Sequence, residues 1–264
     1  MADDERPDVP SVTRAHTSPE SAARQARAWL EVPDGIQFDG EYEALRGWRA
    51  LLETAGILVF ELQLGEDAVR GFAGWDDRAP MIVMNQSRVQ PPVRLFTIGH
   101  ELGHLMLREA TACLEPSGAQ LFVDTRTERW CEEFAAALLM PAAEVRGLMR
   151  AEHIGPGDAG IDQVKLIAHR FGVSNRAAAL RLIDLDFARD GLYGAVLGIF
   201  KPAVRTSGTP HNPPTHRMRV RQYGVGAVTN LLQSLPVSDA LSVLRLTVDD
   251  VRKMADEVPG VPAL

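Results

Sequence analysis

The chain has 264 residues, 45% hydrophobic and 24% charged, with a formal net charge of −7. That suits an ordinary globular protein of one large or two small domains. It excludes a membrane-spanning protein, since no apolar run is long enough, and it argues against phosphate-backbone binding by the whole chain while leaving room for a local basic patch.

In chain order, residues 1–18 mix Asp, Glu, Arg, Pro and Ser without an apolar stretch, so they read as a mobile tail rather than a secretory signal. Helices are expected over Glu20–Leu30 and Glu41–Ala55, the second with Leu45, Trp48, Leu51 and Leu52 at helical spacing and ended by Gly56. Strands follow at Ile57–Gln63, Val69–Ala73 and Pro80–Asn85, a small, mostly antiparallel sheet leading into a helix from Pro92 to Arg108. Residues 109–124 lack periodicity and read as a loop. Another helix spans Thr127–Met140, and Pro141 opens a fresh one through Arg150.

The Gly/Pro/Asp cluster from Gly155 to Gly160 is the best boundary, dividing a domain over 19–155 from a helical region over 156–264. Beyond it, Ile161–Phe171 and Asn175–Asp186 form a helix pair around Gly172, Val173 and Ser174 that resembles a helix-turn-helix. The second helix carries Arg176 and Arg181 but also Asp184 and Asp186, so packing or partner recognition is favoured over base reading. Lys201–Thr215 is a Pro-rich loop. Arg217, Arg219 and Arg221 alternate with Met218 and Val220, suggesting an extended segment with one basic face, a solvated face by default. From Tyr223 the chain reads as helical again, with a short pair at Val237–Leu246 and Thr247–Ala255. Two cysteines, Cys113 and Cys131, are too few for a disulfide-stapled secreted fold; a cytoplasmic location is expected, with Cys131 a small buried residue.

The chemistry lies at His100-Glu101-Leu102-Gly103-His104. On a helix, the two histidines sit one turn apart and about 40° apart around the axis, so both reach one ion. Leu95, Ile98, Leu102, Leu105 and Met106 form the anchoring face, and Gly103 removes a side chain beside the ligands. Zinc favours neutral imidazoles plus one further protein ligand and keeps a position for a bound water. Glu101 would take that water's proton as it attacks a carbonyl and pass it to the leaving amine. Thr127–Met140 offers the third ligand: Glu128, Glu132, Ala135, Ala136 and Leu139 share a face, the alanines allowing close approach, while Trp130, Phe134 and Leu138 pack elsewhere. Glu128 is the ligand of choice, and Glu132 is placed to orient a ligand histidine. His153, His169, His211 and His216 read as surface or structural. The group that stabilises the oxyanion is left open among the remaining histidines and tyrosines, Tyr193 and Tyr223 included.

Phe96-Thr97-Ile98-Gly99-His100-Glu101-Leu102-Gly103-His104-Leu105, together with the run from Glu128 to Pro141, resembles the ImmA/IrrE family of bacterial metallopeptidases. The similarity covers about residues 40 to 185. It implies an α+β, zincin-like core with a smaller helical region after it, one zinc ion held by His100, His104 and the residue matching the family's acidic ligand, Glu128, and catalysis by Glu101. Where the family commonly has Asn, this sequence has Glu132, leaving open whether it orients a ligand or shares the metal. The implied partner is a transcriptional repressor of the XRE type, cleaved or inactivated to release stress or mobile-element genes. The rival is a non-proteolytic, metal-containing regulator that binds and displaces a repressor, disfavoured because a structural zinc has no need of Glu101. Direct DNA binding is a weaker third reading.

Overall fold

The computed structural model describes residues 7–65, 70–87, 89–108, 125–200 and 214–262. Cys113, His211 and Val69 therefore lie outside the described residues, as do the expected loop at 109–124 and most of that at 201–215. The architecture is mixed α and β: a small sheet, the helices packed on it, and a helical C-terminal part.

Helix α1 (Pro19–Trp29) is opened by the Ser18 hydroxyl, which accepts from the Ser21 N–H, and it buries the small residues Ala22, Ala23 and Ala26. Helix α2 (Glu41–Thr54) buries Leu45, Trp48 and Leu52 and hands over to β1 through Gly56, at φ +87°. The sheet contains β1 (Leu58–Leu62), β2 (Gly71–Gly74) and β3 (Met81–Asn85) in the order β1-β3-β2. It is mixed rather than mostly antiparallel: β3 pairs antiparallel with β2 but parallel with β1. The cause is the route of the chain. β2 and β3 are joined by a tight turn in which the Asp76 carboxylate accepts the N–H groups of Arg78 and Ala79. The chain reaches the far edge before the hairpin brings it back, so the strand beside β1 runs in the same direction as β1. β3 is central and correspondingly apolar along its length.

Helix α3 (Pro91–Leu107) leaves β3 after a short connection, and α4 (Thr125–Leu139) packs against both α3 and α1. Then come α5 (Ala142–Ala151), α6 (Ile161–Phe171), α7 (Asn175–Asp184) and α8 (Gly191–Ile199). The α6–α7 turn is as expected: Gly172 at φ +67° closes α6, and the Ser174 hydroxyl caps α7 by accepting from Ala177. A single hydrophobic core takes in residues on both sides of the 155–160 turn, from Leu52 and Ile98 to Val164, Ile167 and Leu182. Arg181 is 2% exposed and holds Glu20, Asp184 and the Met140 carbonyl, so it serves packing rather than a DNA surface.

The segment from Thr215 to Tyr223 is a helix, α9, and not the extended stretch its alternation suggested. Arg, Met and Gln are straight-chain helix formers, Pro214 starts the helix and Gly224 at φ +83° ends it, which outweighs a short period-2 pattern. On a helix, Arg217 and Arg221 share a face while Arg219 points away, where it donates to Gln222. Helices α10 (Val225–Ser234), α11 (Val237–Leu244) and α12 (Val248–Glu257) follow, and Val228, Leu232, Ala240, Leu244, Val251 and Met254 form a second, separate cluster. Buried His216 and exposed Arg217 of α9 meet Glu257 of α12, pulling its carboxyl down to about 2. Among the described residues no helix is long and apolar enough to cross a membrane.

Candidate metal centre

Helix α3 is buried nearly all round, from Leu95 through Leu107, as its mostly apolar composition requires, and the polar Thr97, Glu101 and His104 are buried with it. Two glycines set its distance from α4. A Cβ at Gly99 would lie 3.2 Å from Ala135 Cβ, and one at Gly103 would lie 3.1 Å from both Cys131 Sγ and Phe134 Cδ1. The role expected for Gly103 therefore needs correcting: it makes room for α4, not for the ligand face. Phe134 and Leu138 likewise pack on α3 rather than elsewhere, with Trp130 stacked on Phe134 at a centroid separation of 5.5 Å. Gly103→Ala should gain about 1 kcal/mol of helix propensity but lose about 1–3 kcal/mol to overpacking. We expect a lower urea midpoint; an unchanged or raised one would show that the seam can relax.

That seam brings the ligand candidates together. His100 Nε2 and His104 Nε2 are 3.1 Å apart, and Glu128 places Oε2 at 3.2 Å from the first and Oε1 at 3.4 Å from the second. Three ligand atoms on bonds of about 2.0–2.1 Å around a tetrahedral zinc lie about 3.3 Å from one another. The nitrogen–nitrogen separation and the distance from each nitrogen to one Glu128 oxygen are close to that edge, one ligand atom from each residue lies within 4.8 Å of the others, and one cation would satisfy two imidazole nitrogens and a carboxylate at once. Among the described residues this is the one His/Cys/Asp/Glu group that could hold a metal ion.

The electrostatics agree. Burial holds the His104 imidazole down to about 4, with the neighbouring His100 adding to the effect. Burial also lowers His100, against the opposing pull of the Glu128 and Glu132 charges. Both rings are thus neutral near pH 7, the form a metal needs. Glu101 is 6% exposed, its Oε2 has no hydrogen-bond partner among the described residues, and burial followed by the Glu128 charge pushes its carboxyl up to about 8. A buried carboxyl without a partner, beside three converging ligand atoms, fits a site organised around a cation.

Glu132 is exposed beside the site and acts on His100 through its charge, with no hydrogen bond to either histidine among the described residues. Tyr223 packs edge-on against Phe60 and Tyr193 lies against the core through α8; neither has a hydrogen bond or ring contact with the site. His153 and His169 are exposed, and His216 is buried away in the C-terminal cluster. Sequence reasoning missed Gly71, whose Cβ position lies 3.5 Å from Glu101 Oε1, so that β2 forms a wall of the site; nothing in the sequence signals it. It also missed Glu61, 4% exposed, which binds Arg94 Nη1 at 2.6 Å and Arg49 Nη1 at 3.3 Å beneath α3. A signal existed there, since period-2 alternation puts Glu61 on the same strand face as Val59.

Residues 52–182 match a family model described as Peptidase_M78, IrrE N-terminal-like domain. No curated protein matches the chain. The matched span holds the whole sheet, both helices that carry the candidate ligands, α6 and most of α7, and over it the chain belongs to the ImmA/IrrE family of peptidases.

Proposed function

We propose that the protein is a cytoplasmic, zinc-dependent endopeptidase that cuts a protein partner, an XRE-type transcriptional repressor, and so releases stress or mobile-element genes from repression. The observation that carries the reading is the convergence of His100, His104 and Glu128 beside a buried Glu101 whose Oε2 has no hydrogen-bond partner among the described residues. His100 Nε2, His104 Nε2 and a Glu128 oxygen would hold the ion, which supplies Lewis-acid polarisation of the scissile carbonyl. Glu101 accepts the proton of the attacking water and delivers it to the leaving amine. The apolar packing around α3 keeps bulk water from the carboxyl and strengthens these interactions.

The test incubates the purified protein with an XRE-type repressor from the same genome, with zinc and with a chelator. Cleavage into discrete fragments with zinc alone is the expected result. An intact repressor that nonetheless loses its DNA would favour displacement without proteolysis.

A further inference from the structure

Away from the metal centre, a cavity of about 430 Å³ opens between α2, β1, the start of α3 and α9. Its size falls within the range of small-molecule sites. Five arginines line it, Arg46 and Arg49 from α2, Arg94 from α3, and Arg217 and Arg221 from α9, against only Glu53 and Glu61. A concavity with that surplus of positive charge is out of keeping with a chain of net charge −7.

The buried layer is already satisfied: Glu61 takes Arg94 and Arg49, and Arg49 also holds Glu53 and the Val59 carbonyl. The mouth is not. Arg221 is half exposed and reaches Glu61 only at 3.3 Å, while Arg46 is exposed and has no ion pair or hydrogen bond among the described residues. Guanidinium forks arriving from separate helices suit a tetrahedral oxyanion, whose oxygens face several directions; a planar carboxylate fills one fork, the place Glu61 occupies. Beside the charges stand Tyr42, Leu45, Val220 and Val225, an apolar wall that an inorganic ion would leave unused.

We propose that this cavity binds a small organic phosphate, its phosphate oxygens held by Arg46 and Arg221 and its uncharged body laid against Tyr42, Leu45, Val220 and Val225. Arg217 and Arg221 lie outside the matched domain of residues 52–182, whereas Arg94 lies on the helix that carries His100 and His104. The two arginines that hold the phosphate stand on α2 and α9, so the ligand bridges those two helices.

Calorimetric titration of the full chain tests this, using adenosine 5′-monophosphate, glucose 6-phosphate, inorganic phosphate and adenosine as probes. Chelator is present throughout, so that phosphate cannot bind through a divalent ion and the outcome is independent of the metal reading. At least one ester should bind more tightly than inorganic phosphate, and adenosine should not bind. The double substitution Arg46→Gln, Arg221→Gln should weaken the ester by about tenfold or more, as expected for losing two charge-assisted contacts, with at most a small shift of the ligand-free melting curve from the lost Arg221–Glu61 pair. The proposal is overturned if neither ester binds at millimolar concentration, if inorganic phosphate binds as well as both esters, or if the double variant binds like the parent. Arginine-dependent binding of a short DNA duplex in place of the esters would overturn it too.

Discussion

Glu101→Gln should remove peptide hydrolysis and, in chelator, make the protein more stable than its parent. The loss follows from the role of the carboxylate: general acid–base groups contribute about 10²–10⁴-fold, and an amide cannot carry the proton. The gain follows from burial. Glu101 is pushed from an ordinary 4.5 up to about 8, by desolvation first and by the Glu128 charge second. A raised carboxyl means that the folded state keeps a proton the unfolded state releases. Its contribution is complete below pH 4.5 and is lost as the pH rises through 4.5 towards about 8. At pH 7 the ordering of those two values costs the metal-free fold about 3 kcal/mol. Gln bears no such cost, although its buried amide returns part of the gain. Urea melts at several pH values provide the check: the difference should be largest near pH 8 and fade towards pH 4.5. Equal stability at both ends would mean that Glu101 ionises freely in the fold.

Glu61→Ala should be among the most damaging single substitutions away from the metal ligands. Glu61 is 4% exposed, and its partners Arg94 and Arg49 are 3% and 8% exposed. Removing the acid takes the shared carboxylate from two buried guanidiniums, and although Arg49 keeps Glu53, breaking a buried pair from one side costs about 3–5 kcal/mol. That is a large share of the 5–15 kcal/mol typical of a folded domain. Arg221→Gln touches the same carboxylate from a half-exposed position and should cost less than about 1 kcal/mol. The contrast, read from denaturation midpoints, separates a buried network from a surface one. Similar small effects for both would mean that water reaches Arg94 once Glu61 is gone.

The parts of the molecule that were legible in the sequence are those governed by local rules. The pentapeptide His100 to His104 and the helix bearing Glu128 each follow a 3.6-residue period, and the boundaries at Ile161–Phe171 agree to the residue. The convergence of Glu128 on the two histidines was readable too, because the face rich in alanine signals a close approach. What escaped was set by pairing across distance. Parallel pairing of β1 with β3 depends on where the short strand Gly71–Gly74 goes, and four residues with two glycines carry little pattern. Glu61 finds its arginines 12 residues before it and 33 residues after it, a partnership no local window contains. At α9, alternation of arginines with Met218 and Val220 imitated a strand because the segment is too short for the two periods to diverge.

The glycine seam between α3 and α4 bears on how the site can move. With Gly99 against Ala135 and Gly103 against Cys131 and Phe134, the two ligand-bearing helices meet nearly backbone to backbone. The side chains of Cys131, Phe134 and Leu138 fill what space remains against those glycines, so a change in spacing would meet close-packed atoms at once. Prying the helices apart would forfeit the whole contact at once, which makes the pair behave as a single lever. Accommodation of different substrates then falls to the opposite wall, the short strand starting at Gly71. Gly71 itself is fixed, since a Cβ there would lie 2.5 Å from Thr97 Cγ2 and 2.7 Å from the Val83 carbonyl, so a change of shape has to enter farther along β2.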